Sequence, residues 1–376
     1  MQEDFDLVVA GAGVMGLGCA WEEARRGSKV AVFDPAPGGA KASLAAAGIL
    51  VTRDARIFMS PFREFYVRSI RMYPEWLEDL SKAAGTEVPL HRSGDFLVFD
   101  ASEPAGRERF ESKLRQLERE HAKDFTVTDR LPGILDSQAP IQNPRTLHFP
   151  GECYVQNRDL IAALREACVR AGVVFREGEP ARNPEYRGGT TRFEFPEGEW
   201  RSRRFLIAAG AWSGRFLEAS GATAPMVPVK GQMIRIPKFH SGDSLIHFGD
   251  ELYLVPRGDS LVVGATSEPG VWDESFDEKG EGFLEARLRR FLPHVDHGPL
   301  ERWAGIRPRT RDRLPWMGWA DQEKGWAICA GHYKCGISMA PLAALCLSRL
   351  LHGEKPLLDL APFHPWRRQG LQKKSS

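Results

Sequence analysis

The sequence predicts an α/β chain in which a mostly parallel sheet flanked by helices is interrupted by a second, antiparallel sheet. Two observations predict this fold. Residues 5–34 read as strand, glycine turn, helix and second strand, and a further helix–strand unit follows at 157–176. The stretches outside these units contain short strand-like segments instead. The order therefore indicates one discontinuous α/β domain and one sheet-rich domain.

The glycines of the opening unit determine its chemistry. Gly11, Gly13 and Gly16 follow the apolar strand 5–10 with the spacing G-x-G-x-x-G. The first permits a tight turn, the second a close approach of the backbone to a pyrophosphate, and the third close packing of helix on sheet. The second strand ends at Asp34, whose carboxylate suits ribose hydroxyls and would repel a 2′-phosphate. The unit predicts a Rossmann-like adenine-dinucleotide site that disfavours NADP.

The rest of the chain divides between the two domains. The predicted dinucleotide-binding domain takes residues 1–81, 153–221 and 301–366, the substrate domain takes 82–152 and 222–300, and 367–376 form a basic tail. The patterns predict helices over 58–84 (broken or shifted at Pro74), 104–121, 157–171 (capped by Asn157), 283–291 and 337–351, a loop over 131–151, a hairpin over 190–205, and antiparallel strands at 226–236, 252–256 and 260–265. We expect the ligand between the domains, at the carboxyl ends of the parallel strands.

Composition excludes several classes of function. The 376 residues are 42% hydrophobic and 27% charged, and a formal net charge of +1 provides no field to attract nucleic acid. The six cysteines show no paired spacing, which predicts reduced thiols and no metal site. The acidic first residues and the absence of a long apolar run predict neither a signal peptide nor a transmembrane segment. We therefore expect a cytoplasmic protein with a small-molecule ligand, and a homo-oligomer stays open.

Four segments of the chain together resemble the FAD-dependent D-amino-acid oxidase and glycine oxidase family. They are the opening glycine unit, Ala42–Leu50 (ASLAAAGIL), Phe205–Ser213 (FLIAAGAWS), and Trp303–Pro308 (WAGIRP) with Ala330–Tyr333 (AGHY). The segment 229–233 (VKGQM) and the residues Tyr253 and Val255-Pro256-Arg257 resemble the glycine oxidase branch most closely. The resemblance runs from end to end of the chain. It implies noncovalent FAD, because the stretch 307–318, where sarcosine-oxidase relatives carry their flavin-linked cysteine, contains none.

The resemblance implies cofactor contacts through small residues, backbone groups and helix N-termini. They are Gly11, Gly13, Val14, Met15, Gly16, Asp34, Ser43, Ala46, Ala47, Gly48, Val174, Ala209, Gly210, Trp212, Gly331, His332, Lys334, Gly336 and Ile337. From the residues alone, the run of small residues that ends at Gly48 has two interpretations. It either lets a flat ring approach the backbone or starts a helix that packs on a core. Val174 and His332 equally suit structural roles. The N-terminus of the last helix would stabilise negative charge on a reduced flavin.

Candidate catalytic residues lie at the substrate end. An amino-acid carboxylate in a dry pocket needs a cation, and arginine offers a bidentate fork. Arg307 matches the family's carboxylate-binding arginine, and Tyr253 matches its pocket tyrosine, with an inward-facing sheet aromatic as the alternative. Lys334 stands where glycine oxidases carry a second substrate-facing arginine, so the charge is kept and the fork is lost. Ser267 stands where a larger residue is expected, which leaves room for a bulkier substrate.

The resemblance implies oxidative deamination of a small amine or amino acid (glycine, sarcosine or a D-amino acid), with hydride transfer to the flavin and dioxygen as acceptor. Three alternatives stay open at this point. They are a dehydrogenase of the same fold that passes electrons to a quinone or a protein, an NAD-dependent dehydrogenase, and a non-catalytic flavin-binding subunit. The NAD alternative explains the glycine unit but leaves the AAAGIL and GHY segments without a reason.

Overall fold

The computed structural model describes residues 2–53, 60–120, 122–132, 135, 140–178, 184–196, 198–218, 222–223, 226–296, 298–367 and 372–373. Its α-helices are α1 Val14–Arg25, α2 Lys41–Ala45, α3 Ser60–Ala84, α4 Pro104–Arg119, α5 Asn157–Arg170, α6 Ser213–Glu218, α7 Glu278–Phe291 and α8 Gly336–Leu351. Its strands are β1 Gln2–Ala10, β2 Val30–Asp34, β3 Ile49–Leu50, β4 Leu90–His91, β5 Asp95–Asp100, β6 Thr126–Thr128, β7 Pro144–Phe149, β8 Cys153–Val155, β9 Val174–Glu177, β10 Glu185–Arg187, β11 Thr190–Phe195, β12 Gly198–Ile207, β13 Ala222–Thr223, β14 Met226–Pro237, β15 Leu245–Phe248, β16 Leu252–Arg257, β17 Ser260–Gly264, β18 Glu268–Pro269, β19 Glu301–Thr310, β20 Trp316–Asp321, β21 Trp326–Ala330 and β22 Gln372–Lys373.

The first sheet contains the opening unit. Its parallel strands lie in the order β9, β2, β1, β12 and β21, and the antiparallel strands β10, β11 and β20 extend it. Alternation along β1 sends Leu7 and Val9 into a core shared with the helices, and Val8 and Ala10 into an aromatic core on the other face. The parallel α/β prediction for this part of the chain is confirmed.

The second sheet is mostly antiparallel and draws on both predicted insertions. Its strands follow the order β19, β14, β17, β16, β15, β5, β7 and β6, with β18 paired to β14 beside β17. Helix α7 packs Leu284 and Leu288 against one face, in a core with Ile234 and Val263. The opposite face is turned toward the cavity described below, so this sheet forms one wall of the site.

Two predictions about local structure are wrong. The predicted loop over 131–151 contains β7, which pairs with both β5 and β6. Strand pairing with distant partners overrides the turn-forming composition there, because a strand is stabilised by what lies beside it. The predicted break at Pro74 is also absent, since α3 runs through it. Tyr73 on one side and Leu77 on the other are buried and hold both halves of the helix on the same core. Phe58 lies outside the described residues.

The domain limits change at two points. Strand β19 pairs with β14 along its whole length, so residues 301–310 belong to the second sheet, and the last segment of the first domain begins near β20. The predicted tail also begins too early, because Arg367 forms an ion pair with Asp312 at 2.7 Å. The rest of the domain division stays a prediction. Among the described residues, no helix is long and apolar enough to cross a membrane.

Candidate active site

A cavity of about 960 Å³ lies between the carboxyl ends of the parallel strands and the inner face of the second sheet. This is the position expected for a ligand in an open α/β fold. Nearly all of the predicted site residues line it: Gly11, Gly13, Val14, Met15, Asp34, Ser43, Ala46, Ala47, Gly48, Ala209, Gly210, Trp212, Tyr253, Arg307, Gly331, His332, Lys334, Gly336 and Ile337. Gly16, Val174 and Ser267 are not among the lining residues that the structure describes.

The glycine turn after β1 leaves no space for side chains. Gly11 has φ +106°, and a Cβ there would lie 2.5 Å from the Ala208 carbonyl oxygen. A Cβ at Gly16 would lie 1.9 Å from the Gly11 carbonyl oxygen, so this glycine lets α1 pack on the turn. Val174 pairs with Ala31 in the neighbouring strand and packs against the aromatic core. Both positions contribute to packing, and contact of Gly16 and Val174 with FAD stays a prediction.

Polar groups converge on the N-terminus of α1. The Val14 N–H donates to Ser43 Oγ at 3.1 Å, which joins the small-residue segment to the first turn of the helix. The Asp34 carboxylate accepts hydrogen bonds from the Ala12 and Ala36 N–H groups, both at 2.9 Å. A helix N-terminus beside a positioned carboxylate suits a pyrophosphate and a ribose.

Two side chains and one close backbone contact hold the small-residue segment that contains Ala45, Ala47 and Gly48. Trp303 Nε1 donates to the Ala45 carbonyl at 3.1 Å, and Arg257 Nη2 donates to the Ala47 carbonyl at 2.6 Å. A Cβ at Gly48 would lie 1.9 Å from the Val155 carbonyl oxygen, so the chain passes directly against β8. The segment therefore presents a small, fixed surface to the cavity.

Asn157 and Arg257 have roles that differ from the sequence interpretation. Asn157 is the first residue of α5 and does not cap it; its Nδ2 donates to the carbonyls of Ser43 and Leu44 at 2.8 and 2.9 Å. Arg257 reaches Asn157 Oδ1 at 3.4 Å as well as Ala47. Burial lowers the pKa of Arg257 to about 10. The sequence placed Arg257 only within a resembling segment, because its partners lie far away along the chain.

The turn before α8 closes the cavity on another side. Gly331 has φ +82°, and a Cβ there would lie 2.5 Å from Thr310 Cγ2. His332 is 4% exposed, and its Nε2 is buried without a hydrogen-bond partner in the described part of the chain. Gly336 begins α8, and the N–H groups of the first turn, which have no acceptor within the helix, lie at the cavity. Lys334 is exposed, and its Nζ lies 5.5 Å from the Tyr333 ring centroid.

Arg307 and Tyr253 each lie over a glycine of the second sheet. A Cβ at Gly231 would lie 2.1 Å from Arg307 Nη1, so this glycine makes the space that the guanidinium occupies. Arg307 Nη1 donates to the Thr266 carbonyl at 3.1 Å. A Cβ at Gly264 would lie 2.2 Å from the Tyr253 hydroxyl. Burial raises the pKa of Tyr253, which keeps its hydroxyl protonated as a donor.

A third polar group on this wall was missed by the sequence reasoning. His247 lines the cavity next to Tyr253, and its Nδ1 lies 2.7 Å from Asp95 Oδ1. Asp95 is fully buried and also binds Arg53 Nε. The three residues come from distant parts of the chain and share no motif; the register of β5 and β15 brings Asp95 and His247 together, and Arg53 reaches Asp95 from the segment after β3.

The fold and the site together define a flavin-dependent oxidoreductase. The cavity is large enough for a dinucleotide, the helix N-termini suit phosphate and a reduced ring, and the buried His332 Nε2 leaves a polar contact for a ligand. The chain belongs to the DAO family of FAD-dependent oxidoreductases, whose model matches residues 6–350. The predicted family and the FAD cofactor are confirmed, and the NAD alternative is excluded.

Individual relatives agree with this assignment. The glycine oxidase of Geobacillus kaustophilus is 28% identical over 382 residues, covering 98% of this chain and 99% of that protein. The crystal structure of glycine oxidase from that organism superposes with a TM-score of 0.89 at 26% identity, over 98% of this chain and 100% of that one. L-proline dehydrogenase from P. horikoshii shares the fold alone, with a TM-score of 0.82 at 16% identity and 98% of each chain covered.

Proposed function

We propose that this protein oxidatively deaminates a small amino acid or amine of the glycine, sarcosine or D-amino-acid class, with dioxygen as acceptor. The observation that carries the proposal is the Arg307 guanidinium, held over Gly231 in the same cavity as the dinucleotide-binding residues. The relatives named glycine oxidase support it. For an amino acid, the overall reaction converts the substrate, dioxygen and water into an oxo acid, ammonia or an amine, and hydrogen peroxide.

Bound FAD supplies the electron acceptor for the hydride of the substrate Cα–H bond. Arg307 anchors the substrate carboxylate through its fork, and the Tyr253 hydroxyl adds a hydrogen bond. The small surface at Ala46, Ala47 and Gly48 would accept the flat ring of the cofactor. The N-terminus of α8 would stabilise negative charge on a reduced flavin. Orientation and electrostatics suffice, so the mechanism needs no protein base.

We further propose that FAD is held without a covalent bond. No cysteine lies in the stretch 307–318, and Cys335 is buried at the start of α8, where it packs in the helix-side core. Acid denaturation followed by filtration should release all the flavin from the chain. Flavin that stays with the polypeptide would contradict this proposal.

The decisive experiment is anaerobic reduction of the enzyme by a panel of amines. Glycine, sarcosine, D-amino acids and L-proline are mixed with the protein, and loss of the oxidised flavin band near ~450 nm is followed. Aerobic peroxide yield, compared with turnover of an artificial acceptor, then separates an oxidase from a dehydrogenase. A flavin that no amine bleaches would favour the non-catalytic subunit instead.

Arg307 provides the residue-level test of the proposal. In Arg307→Ala the carboxylate loses a charged hydrogen-bond pair, so KM for amino acids should rise about 10- to 100-fold while FAD stays bound. Arg307→Lys should recover part of the loss. Oxidation of an amine without a carboxylate should change little. An unchanged KM for amino acids would remove Arg307 from the substrate site.

The roles of Lys334 and Trp212 and the contacts of the remaining cavity residues with FAD stay predictions. The cytoplasmic location and a homo-oligomeric state are also proposals, which cell fractionation and light scattering would test.

A further inference from the structure

His247, Asp95 and Arg53 form a hydrogen-bonded cluster in the wall of the cavity. Asp95 Oδ1 lies 2.7 Å from His247 Nδ1, and Asp95 Oδ2 binds Arg53 Nε. Asp95 and Arg53 are buried, and the His247 side chain is 12% exposed; His247 and Arg53 both line the cavity, on either side of Asp95. The mechanism above uses none of these three residues.

The hydrogen bond with Asp95 determines which nitrogen of the His247 imidazole carries the proton. Burial would raise the pKa of Asp95, but the charge of Arg53 and the hydrogen bonds from Arg53 and His247 outweigh it and hold the pKa below its usual range. The carboxylate is therefore ionised and can only accept hydrogen bonds. His247 Nδ1 must then carry the proton, so in the neutral imidazole Nε2 is a hydrogen-bond acceptor and is the nitrogen available to the cavity.

The sheet places this acceptor at a defined distance from the carboxylate anchor. His247 lies directly opposite Tyr253, and Tyr253 lies opposite Gly264, which pairs with Met233. Met233 is thus three strand spacings from His247, and Gly231 lies two residues farther along β14. The Arg307 fork lies between Gly231 and the Thr266 carbonyl, two residues past Gly264, which puts it ~14 Å from His247. Subtracting one hydrogen bond of ~3 Å at each end leaves room for a substrate ~8 Å long.

The charged groups at this end of the cavity offer no net attraction for an anion. Arg53 and Asp95 neutralise each other. Glu251 forms ion pairs with two exposed arginines, Arg109 at 2.7 Å and Arg290 at 2.8 Å. Arg290 also forms an ion pair with Glu103, and the exposed Asp250 lines the cavity beside Glu251, so the positive charge of the two arginines is fully offset. The hydrogen-bonding character of His247 therefore decides what binds here.

We propose that His247 is a specificity-determining residue whose Nε2 receives a hydrogen-bond donor at the far end of the substrate. The preferred substrates are amino acids whose side chain ends in an ammonium or amide N–H group several bonds from the carboxylate. This inference rests on the proposed function, because it takes Arg307 as the carboxylate anchor. Glycine and sarcosine are too short to span the two groups.

Matched substrates of equal length test the inference. Ornithine and norleucine have side chains of the same number of heavy atoms, and glutamine and glutamate form a second pair; both enantiomers of each are used. In the unaltered protein the donor-bearing member of each pair should have a Kd and a KM about 3- to 10-fold lower. Kd is read from the change of the flavin spectrum on titration, and KM from flavin reduction.

His247→Leu should abolish both preferences and leave glycine within about twofold of its original values. His247→Gln, which places an amide oxygen near the position of Nε2, should restore most of the preference. His148→Leu provides the matched control, because His148 pairs with Phe96 on the opposite face of the same sheet, away from the cavity.

The outcomes separate this inference from the proposed function. If glycine bleaches the flavin but the matched pairs do not differ, or if His247→Leu keeps the preference, the inference is overturned alone. If no amine bleaches the flavin, the proposed function fails, and the spectral titrations still decide whether His247 selects donor-bearing amino acids. A preference for glutamate over glutamine would show that this end binds anions and would also overturn the inference.

Discussion

The two ends of the cavity are built in different ways. At the dinucleotide end the main contributions come from one continuous segment, in which Gly11 and Gly16 clear space and α1 presents its N–H groups. At the substrate end the functional groups are side chains from different strands, and Arg307 and Tyr253 each occupy the space above a glycine on a neighbouring strand.

This difference predicts how each end responds to substitution. A site built from backbone groups is lost when an added side chain displaces the backbone. Its sensitive positions are therefore the glycines and the residues whose side chains hold backbone carbonyls in place. A side-chain site fails when one group is displaced, and the rest of the fold can remain intact. The predictions below test this contrast, and they begin with the largest expected effect.

Gly11→Ala should remove most of the bound flavin. The methyl group would lie 2.5 Å from the Ala208 carbonyl at a φ of +106°, which an L residue rarely adopts. Flavin content per chain is measured by absorbance after purification. Gly27→Ala is the matched control, because Gly27 has φ +86° with nothing within 4 Å of its Cβ position. Normal flavin content in Gly11→Ala would show that flavin binding does not depend on the backbone conformation at Gly11.

Gly231→Ala should damage the substrate end alone. Its methyl group would lie 2.1 Å from Arg307 Nη1, and the flexible guanidinium would move aside at little cost to the fold. We expect FAD content to stay normal and KM for amino acids to rise about 10- to 100-fold, since a charged hydrogen-bond pair is worth ~1.5–3 kcal/mol. Gly282→Ala, in α7 with open space around its Cβ position, should leave KM unchanged. A normal KM in Gly231→Ala would place the carboxylate elsewhere.

Arg257→Met tests the link between the two ends. Without its guanidinium the partly buried Ala47 carbonyl loses a donor, which costs ~1 kcal/mol. FAD should bind about tenfold more weakly to the apoprotein, while KM for the amino acid changes less than in Gly231→Ala. Arg289→Met, on the exposed side of α7, is the control. Equal FAD affinity in both variants would show that the Ala47 carbonyl needs no anchor.

The smallest effect is a pH dependence of stability from Asp95. Its pKa is lower in the folded protein than the ~3.9 of an unfolded aspartate, so its stabilisation is complete above that value and is lost as pH falls through the folded pKa. The difference in urea midpoint between the unaltered protein and Asp95→Asn should therefore be largest near neutral pH and shrink below about pH 4. A difference that does not change with pH would remove Asp95 as the cause.

Local structure could be predicted where neighbouring residues decide it. The hairpin of β11 and β12 and the antiparallel β14, β16 and β17 follow from alternation and turn residues, and the structure contains them. Strand β7 and the membership of β19 could not be predicted, because each depends on a partner strand far away in the chain. The role of Asn157 could not be predicted for the same reason. An asparagine at a helix start has the same sequence signature whether it caps the helix or, as here, donates to the distant Ser43 carbonyl.

The sequence by itself determined the dinucleotide half of the site. The G-x-G-x-x-G spacing places the three glycines in one strand, turn and helix, where Gly16 packs against the Gly11 carbonyl. The contact of Gly11 with Ala208, which follows β12, is the part of this half that needs the assembled sheet. Only the tertiary structure decided the substrate half. Strand register places Arg307 over Gly231 and brings His247 onto Asp95, and no local pattern encodes register between distant strands. Side chains that meet across a sheet become a site only after the sheet has formed.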